Sequence, residues 1–210
     1  LEPETHVHVA VHRRRRGEVL VTFIDLPFSV SPVVWARCID SIFQRVDWTW
    51  AQPRPPFVSM GWHPESGFIK ARWDNYSEHP ILYLMAIGSP THPLRPDSWY
   101  AWERSWNEYR GYKYLGKVPL FTYQYSHAWV DFRNRREDRN EKIDYFRNSV
   151  DATLAHRLFC MELASEFPAY GPDMWGISAS DSVKGYVAWG GPPRDPAIDG
   201  TVVPYAAAGS

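Results

Sequence analysis

At 210 residues with 44% apolar side chains, the chain is long enough for one domain with a buried core and too apolar for wholesale disorder. A formal charge of −1 and a pI of 6.8 give no general pull toward nucleic acid or acidic membranes, and the absence of any run of about 18 apolar residues predicts no membrane span. The unusual feature is aromatic content: 11 Trp, 12 Tyr and 10 Phe, flat stiff side chains that suit a packed core or stacking on the C–H faces of sugar rings.

Thr5 to Ile24 alternates apolar and polar residues around Arg13–Arg16 and Gly17, which predicts strand–turn–strand with the arginines as a solvated turn. No second basic patch supports a nucleic-acid role for them. His6, His8 and His12 share one strand face at a spacing that could ligate zinc, but no downstream Cys or carboxylate motif joins them. Ser31-Pro32 reads as an N-cap followed by Pro at the first helical position. The helix it opens carries Val34, Trp35, Cys38, Ile39, Ile42 and Phe43 on one side. Cys38 and Cys160 both sit in apolar helical patterns and are expected to be buried free thiols.

Gln52–Pro56 is a Pro-rich turn, and Phe57 to Trp73 a loop or short hairpin with Gly61, Pro64 and Gly67. A helix is predicted from Ser77 to Ile87, broken by Gly88-Ser89-Pro90. Asp97-Ser98 should cap another, with Trp99, Trp102, Trp106 and Tyr109 on one face. A loop containing Gly111, Gly116 and Pro119 leads to Tyr123–Phe132. The clearest helix is Lys142–Leu163, with Ile143, Phe146, Val150, Leu154, Leu158 and Met161 facing the core. Beyond Pro168 the chain is rich in Gly, Pro, Asp and Ser, as long functional loops often are. Helices separated by such loops, with little paired-strand signal, predict an all-α architecture.

Glycoside cleavage needs one carboxyl that stays protonated and one that stays ionised. A carboxyl among aromatic rings is desolvated, which favours the protonated form. Glu78, in Trp73-Asp74-Asn75-Tyr76-Ser77-Glu78, is a candidate for the first kind, though a Glu in the first turn of a helix can equally serve the helix dipole. Gln124, His127 and Asp131 form one polar cluster, and Asp181 and Asp199 lie in later loops. Each alone fits a turn or cap, while their density favours a polar pocket. Gly176-x-Ser178-x-Ser180 lacks the last Gly of a nucleophile elbow. Asn75-Tyr76-Ser77 is a formal glycosylation sequon, but its place beside Glu78 argues against a modified surface site.

Ordered blocks then bring a resemblance into view. They are Arg45-Val46-Asp47-Trp48, Ser59-Met60-Gly61-Trp62, Trp73 to Glu78, Gly88 to Pro93, Gln124 to Arg133, Trp175 to Asp181, and Asp199 to Pro204. From residue 45 to 210 the chain resembles the glucoamylase-like family that contains bacterial endo-β-1,2-glucanases and is similar to the transglycosylation region of cyclic β-1,2-glucan synthases. Residues 1–44 form a separate N-terminal segment with only faint resemblance. The family implies an (α/α)6 toroid with a glycan cleft at one rim, and hydrolysis of β-1,2-glucan, generally endo and inverting, without a cofactor or metal. Its substrate would be a glucan oligosaccharide or polysaccharide, and its place the periplasm or the exterior of the cell.

Glu78 matches the family's proposed general acid, with Ser77 where the family has Asn. Trp73, Tyr76, Gln124, His127, Asp131, Trp175 and Asp181 fall on blocks expected to line the cleft. The family's proposed general base lies in a Tyr-Gly-Phe-x-Asp-Ala-Phe-like segment that normally follows the last of these blocks and is absent from this sequence. Together with a start at Leu1 instead of Met, this predicts a fragment or a shortened member with an incomplete barrel. The alternatives are a glycan-binding module without turnover, or a transglycosylase fragment of a larger synthase.

Overall fold

A computed structural model describes residues 8–13, 19–24, 32–139, 141–183 and 185–209. The first hairpin is present as expected. Strand β1 (His8–Arg13) pairs antiparallel with β2 (Val19–Ile24), setting His8 opposite Ile24 and Arg13 opposite Val19. The arginine turn, and His6 of the histidine set, lie outside the described residues. Helix α1 (Pro32–Gln44) begins at the predicted proline. Its Cys38 is exposed, not buried, and of the predicted apolar face Phe43 packs against the core while Ile42 stands in solvent.

Asp47 then turns the chain, its carboxylate accepting from the Thr49 hydroxyl at 2.6 Å and the Trp50 N–H at 2.9 Å. The short hairpin β3 (Trp62–His63) and β4 (Gly67–Phe68) follows, as the glycines suggested. Helix α2 (Pro80–Ile87) starts three residues later than predicted, because Pro80 occupies its first turn and sets the boundary, and it ends at Gly88. Glu78 therefore sits in the bend before the helix.

The largest departure follows. Helix α3 is only Asp97–Ala101. The tryptophan face expected to continue through Tyr109 is instead a hairpin, β5 (Trp106–Tyr109) and β6 (Tyr112–Leu115), with Trp106 opposite Leu115. Its turn is Arg110-Gly111, both at positive φ (51° and 84°), which suits the right-handed twist of paired strands. Aromatic residues favour a pleated surface, and their three-to-four spacing mimicked a helix.

Helix α4 (Phe121–Tyr125) runs into a single 3₁₀ turn, Ser126–Ala128. The long helix α5 (Tyr145–Leu163) is present, opened by Asp144, whose side chain caps the Arg147 N–H at 2.9 Å. Its buried face is Tyr145, Asn148, Ala152, Ala155, His156, Phe159, Cys160 and Leu163. Of the predicted stripe, Ile143 is buried and Val150 and Leu158 are half-buried, while Phe146, Leu154 and Met161 are 41%, 38% and 37% exposed. Small residues on the inner face let β6 approach, so Tyr114 and Leu115 are wholly buried. Asn148 binds both neighbours, its Oδ1 accepting from the Leu115 N–H at 2.7 Å and its Nδ2 donating to the Tyr76 hydroxyl at 3.1 Å. Cys160 is a buried free thiol as expected, and burial pushes its pKa up to about 11. Hairpin β7 (Ala179–Ser182) and β8 (Gly185–Ala188) and helix α6 (Pro204–Ala208) complete the described chain.

The all-α expectation is thus corrected. Among the described residues, six helices, three of them five residues long, alternate with four two-stranded antiparallel sheets. None of the helices is long and apolar enough to cross a membrane. One core joins Trp48 to Ala206, and its centre is aromatic: Tyr76 stacks on Tyr145 at 6.1 Å and lies 5.7 Å from Tyr123. Each such buried ring contributes about 1.5–3 kcal/mol.

Candidate functional site

The site is built around α4 and its 3₁₀ turn. Leu120, Thr122 and Tyr123 are buried. The Tyr123 hydroxyl donates to the Leu115 carbonyl at 2.7 Å, and the Ser149 hydroxyl of α5 donates to the Tyr123 carbonyl at 2.6 Å. This pins α4 to β6 and α5. Three separate pieces of polar sequence are then gathered along it. At its N-terminal end the Phe121 N–H donates to Ser178 Oγ at 3.1 Å, just before β7. In its middle Gln124 Nε2 donates to the Ala206 carbonyl of α6 at 2.8 Å. At its C-terminal end the Ser126 hydroxyl donates to the Glu78 carbonyl at 3.0 Å.

Glu78 is half-buried, and Ser77 Oγ hydrogen-bonds its Oε2. The residue that differs from the family pattern therefore bears directly on the candidate acid. Trp73 is half-buried, its ring 5.5 Å from His79 and its carbonyl accepting from the Tyr83 hydroxyl at 2.9 Å. His127 packs on Phe132 at 4.8 Å, and burial holds its imidazole below the usual range, with Asp131 opposing the shift. At neutral pH it is an uncharged donor–acceptor.

Tyr76 lies in the core and Asp131 is ion-paired at the surface. Tyr76 is 5% exposed inside the aromatic core, with its hydroxyl taken by Asn148, so its position is a packing position and not a cleft wall. Asp131 is exposed and chelated by Arg133, whose Nε and terminal nitrogen lie 2.8 and 2.9 Å from its two oxygens. Those bonds hold its carboxyl at about 2, which keeps it ionised. Trp175 is half-buried against the core, and Asp181 is exposed on β7 opposite Tyr186. Ser178 is wholly buried, and its oxygen accepts from both the Phe121 N–H and the Tyr205 hydroxyl, the latter at 3.0 Å.

Sequence reasoning passed over two buried polar groups beside the site. Arg104 and Glu137 form an ion pair at 2.7 Å, and Glu137 Oε1 also accepts from Tyr145 at 2.6 Å and Trp99 at 2.8 Å. His79, next to Glu78, is enclosed by Trp73, Tyr83 and Trp102, with neither ring nitrogen hydrogen-bonded among the described residues. Only the density of Trp and Tyr around Glu78 hinted at such enclosure.

The geometry can be set beside known proteins. A curated exo-β-1,2-glucooligosaccharide sophorohydrolase (non-reducing end) from Parabacteroides distasonis is 26% identical over 205 residues, covering 83% of this chain and 28% of its own length. A solved endo-β-1,2-glucanase from Chitinophaga pinensis, in complex with sophorotriose and glucose, superposes with a TM-score of 0.70 at 26% identity. That match covers 79% of this chain and 43% of the other. A β-1,2-glucanase structure from Parabacteroides distasonis gives the same TM-score of 0.70 at 24% identity over 80% of this chain and 28% of its own, a likeness of fold. The chain thus spans less than half the length of these relatives. The family model Glycoamylase, described as "Putative glucoamylase", matches residues 70–210, which include Glu78, the whole of α4 and Asp181. With two thirds of its length inside that match, the chain belongs to the Glycoamylase family.

Proposed function

We propose that residues 45–210 form part of a glycoside hydrolase that cleaves β-1,2-glucan internally with inversion, and that Glu78 is its general acid. One observation carries this reading: Glu78 is half-buried in the bend before α2, with its main chain tied by Ser126 to the Gln124–Trp129 segment. The named activities of the relatives supply the glucan class. In the proposed step the Glu78 carboxyl gives its proton to the glycosidic oxygen as the C–O bond breaks. A water, deprotonated by a carboxylate on the opposite face of the sugar, forms the new bond. Glu78 ends the step ionised and regains its proton from solvent.

Asp131 does not suit the acid's role, since its bonds to Arg133 hold it ionised. Trp73, Gln124, His127, Trp175 and Asp181 are proposed to contact the glucan, the tryptophans by stacking and the others by hydrogen bonds to hydroxyls. Glu78→Gln keeps the shape and removes the proton. In the active full-length enzyme it should lower kcat on β-1,2-gluco-oligosaccharides by about 10²–10⁴-fold, measured as reducing-end release, with glucan affinity retained by calorimetry. Wild-type turnover by this variant would sink the assignment.

A further inference from the structure

Helix α2 opens without the usual help. Its N-cap position is His79, whose backbone is helical and whose side chain makes no capping bond. Pro80, at the first helical position, has no N–H to offer. The first free donor of the helix is therefore the Ile81 N–H, and it is satisfied from another element: it donates to Ser126 Oγ at 3.1 Å. The same hydroxyl spends its proton on the Glu78 carbonyl at 3.0 Å. Ser126 is 2% exposed, so both bonds are shielded from water. One oxygen thus grips the chain on both sides of His79 and Pro80, three residues apart.

Ser126 sits on a firm base. It follows α4, which the Ser149 and Tyr123 bonds fasten to α5 and β6. Its own carbonyl accepts from the Trp129 N–H at 3.3 Å, closing the 3₁₀ turn, and from the Val130 N–H at 3.0 Å. A rigid path therefore runs from the core through Ser126 to the backbone of Glu78. Among the described residues, the Glu78 side chain adds only the flexible hydroxyl of Ser77 as a partner. Where the Glu78 carboxyl can reach is set by its main chain, and its main chain is set by Ser126.

We infer that Ser126 is a positioning residue for glycoside cleavage, holding Glu78 in register with the Gln124–Trp129 segment by capping α2 across the fold. The inference rests on Glu78 being the acid. A carboxyl displaced by a fraction of an ångström donates poorly to a glycosidic oxygen, while glucan binding through other groups is unaffected.

The test is steady-state kinetics on β-1,2-gluco-oligosaccharides with the active full-length enzyme. Ser126→Ala should lower kcat by about tenfold or more and leave KM within about twofold. Ser126→Cys, near in size but a weak donor, should fall between Ala and the parent, and Ser126→Thr should recover part of kcat. Thr122→Ala is the control for packing: Thr122 is equally buried on α4, but its hydroxyl donates to the Pro119 carbonyl at 2.8 Å, away from Glu78. It should lower Tm with kcat unchanged. If Ser126→Ala or Ser126→Cys lowers Tm but keeps the parental kcat, the inference is overturned. If Glu78→Gln itself stays active, the underlying reading has failed, and that result is read independently of any Ser126 variant.

Discussion

Gly176 shows what a single position can demand. Its φ is +129°, a conformation closed to most side chains, and a Cβ there would meet the Val203 carbonyl oxygen at 2.5 Å and Ala206 Cβ at 3.3 Å. Its own carbonyl accepts from the Val203 N–H at 2.9 Å, so the glycine seats α6 against the loop that carries Trp175. Gly176→Ala must therefore push α6 away as well as adopt a strained backbone. It should cost about 2–4 kcal/mol, seen as a Tm lower by about 4–16 °C in thermal unfolding followed by circular dichroism. A Tm within a degree of the parent would contradict this account. In the sequence Gly176 stood out only as part of a failed nucleophile motif. Glu78 was singled out because an ordered block surrounds it. Tyr76, two residues before it, was not legible as core, since burial depends on Asn148, Tyr123 and Tyr145 arriving from distant segments.

Elements were legible where local signals agreed and were misread where they competed. Pro32 and Gly88 marked helix ends correctly, and Asp144 gave α5 its start within three residues of the expected one. Trp99 to Tyr109 was misread because the same spacing serves a five-residue helix and then a hairpin, and the deciding Arg110-Gly111 turn lies beyond the window. On α5 the periodicity was right and the face was wrong, because Ala152, Ala155 and Asn148 are inward-facing without being strongly apolar. What joins α3, the strand β5 and α5 is a polar knot that no periodicity reveals. Arg104 and Glu137 are 8% and 2% exposed, and Arg104 also lies over the Trp102 ring at 3.6 Å. Glu137→Leu leaves the guanidinium buried with no counter-charge and should cost about 3–5 kcal/mol in urea unfolding. Arg104→Met combined with Glu137→Leu should cost less than Glu137→Leu alone, because the pair's desolvation disappears with both charges. Additive losses would show instead that the two side chains act separately.

At the scale of the molecule, the glucan-acting family was legible from block order, whereas the balance of helix and hairpin was not. Phe146, Leu154 and Met161 of α5, read from the sequence as core-facing, stand outward here, as do Leu84 and Met85 of α2. The enclosed histidines give the whole fold a definite response to acid. Burial lowers His79 to about 3, with the Arg104 charge assisting, and lowers His156 to about 4 against the Ala152 carbonyl bond. In the unfolded chain both titrate near about 6.5. Below that pH the unfolded state binds protons that the folded state refuses, so stability is full above it and falls as pH drops toward the folded values. Each histidine contributes a slope approaching about 1.4 kcal/mol per pH unit. Between pH 7.5 and 5 the two together should remove about 4 kcal/mol, read as a fall in the urea midpoint. His79→Phe tests the assignment, since the site is aromatic on three sides and neither imidazole nitrogen has a protein partner to lose. The variant should match or exceed the parent at pH 7.5 and lose only about half as much on acidification. A parental acid response in His79→Phe would mean that His79 is already accessible to protons in the folded protein, and that its enclosure by Trp73, Tyr83 and Trp102 does not persist in solution.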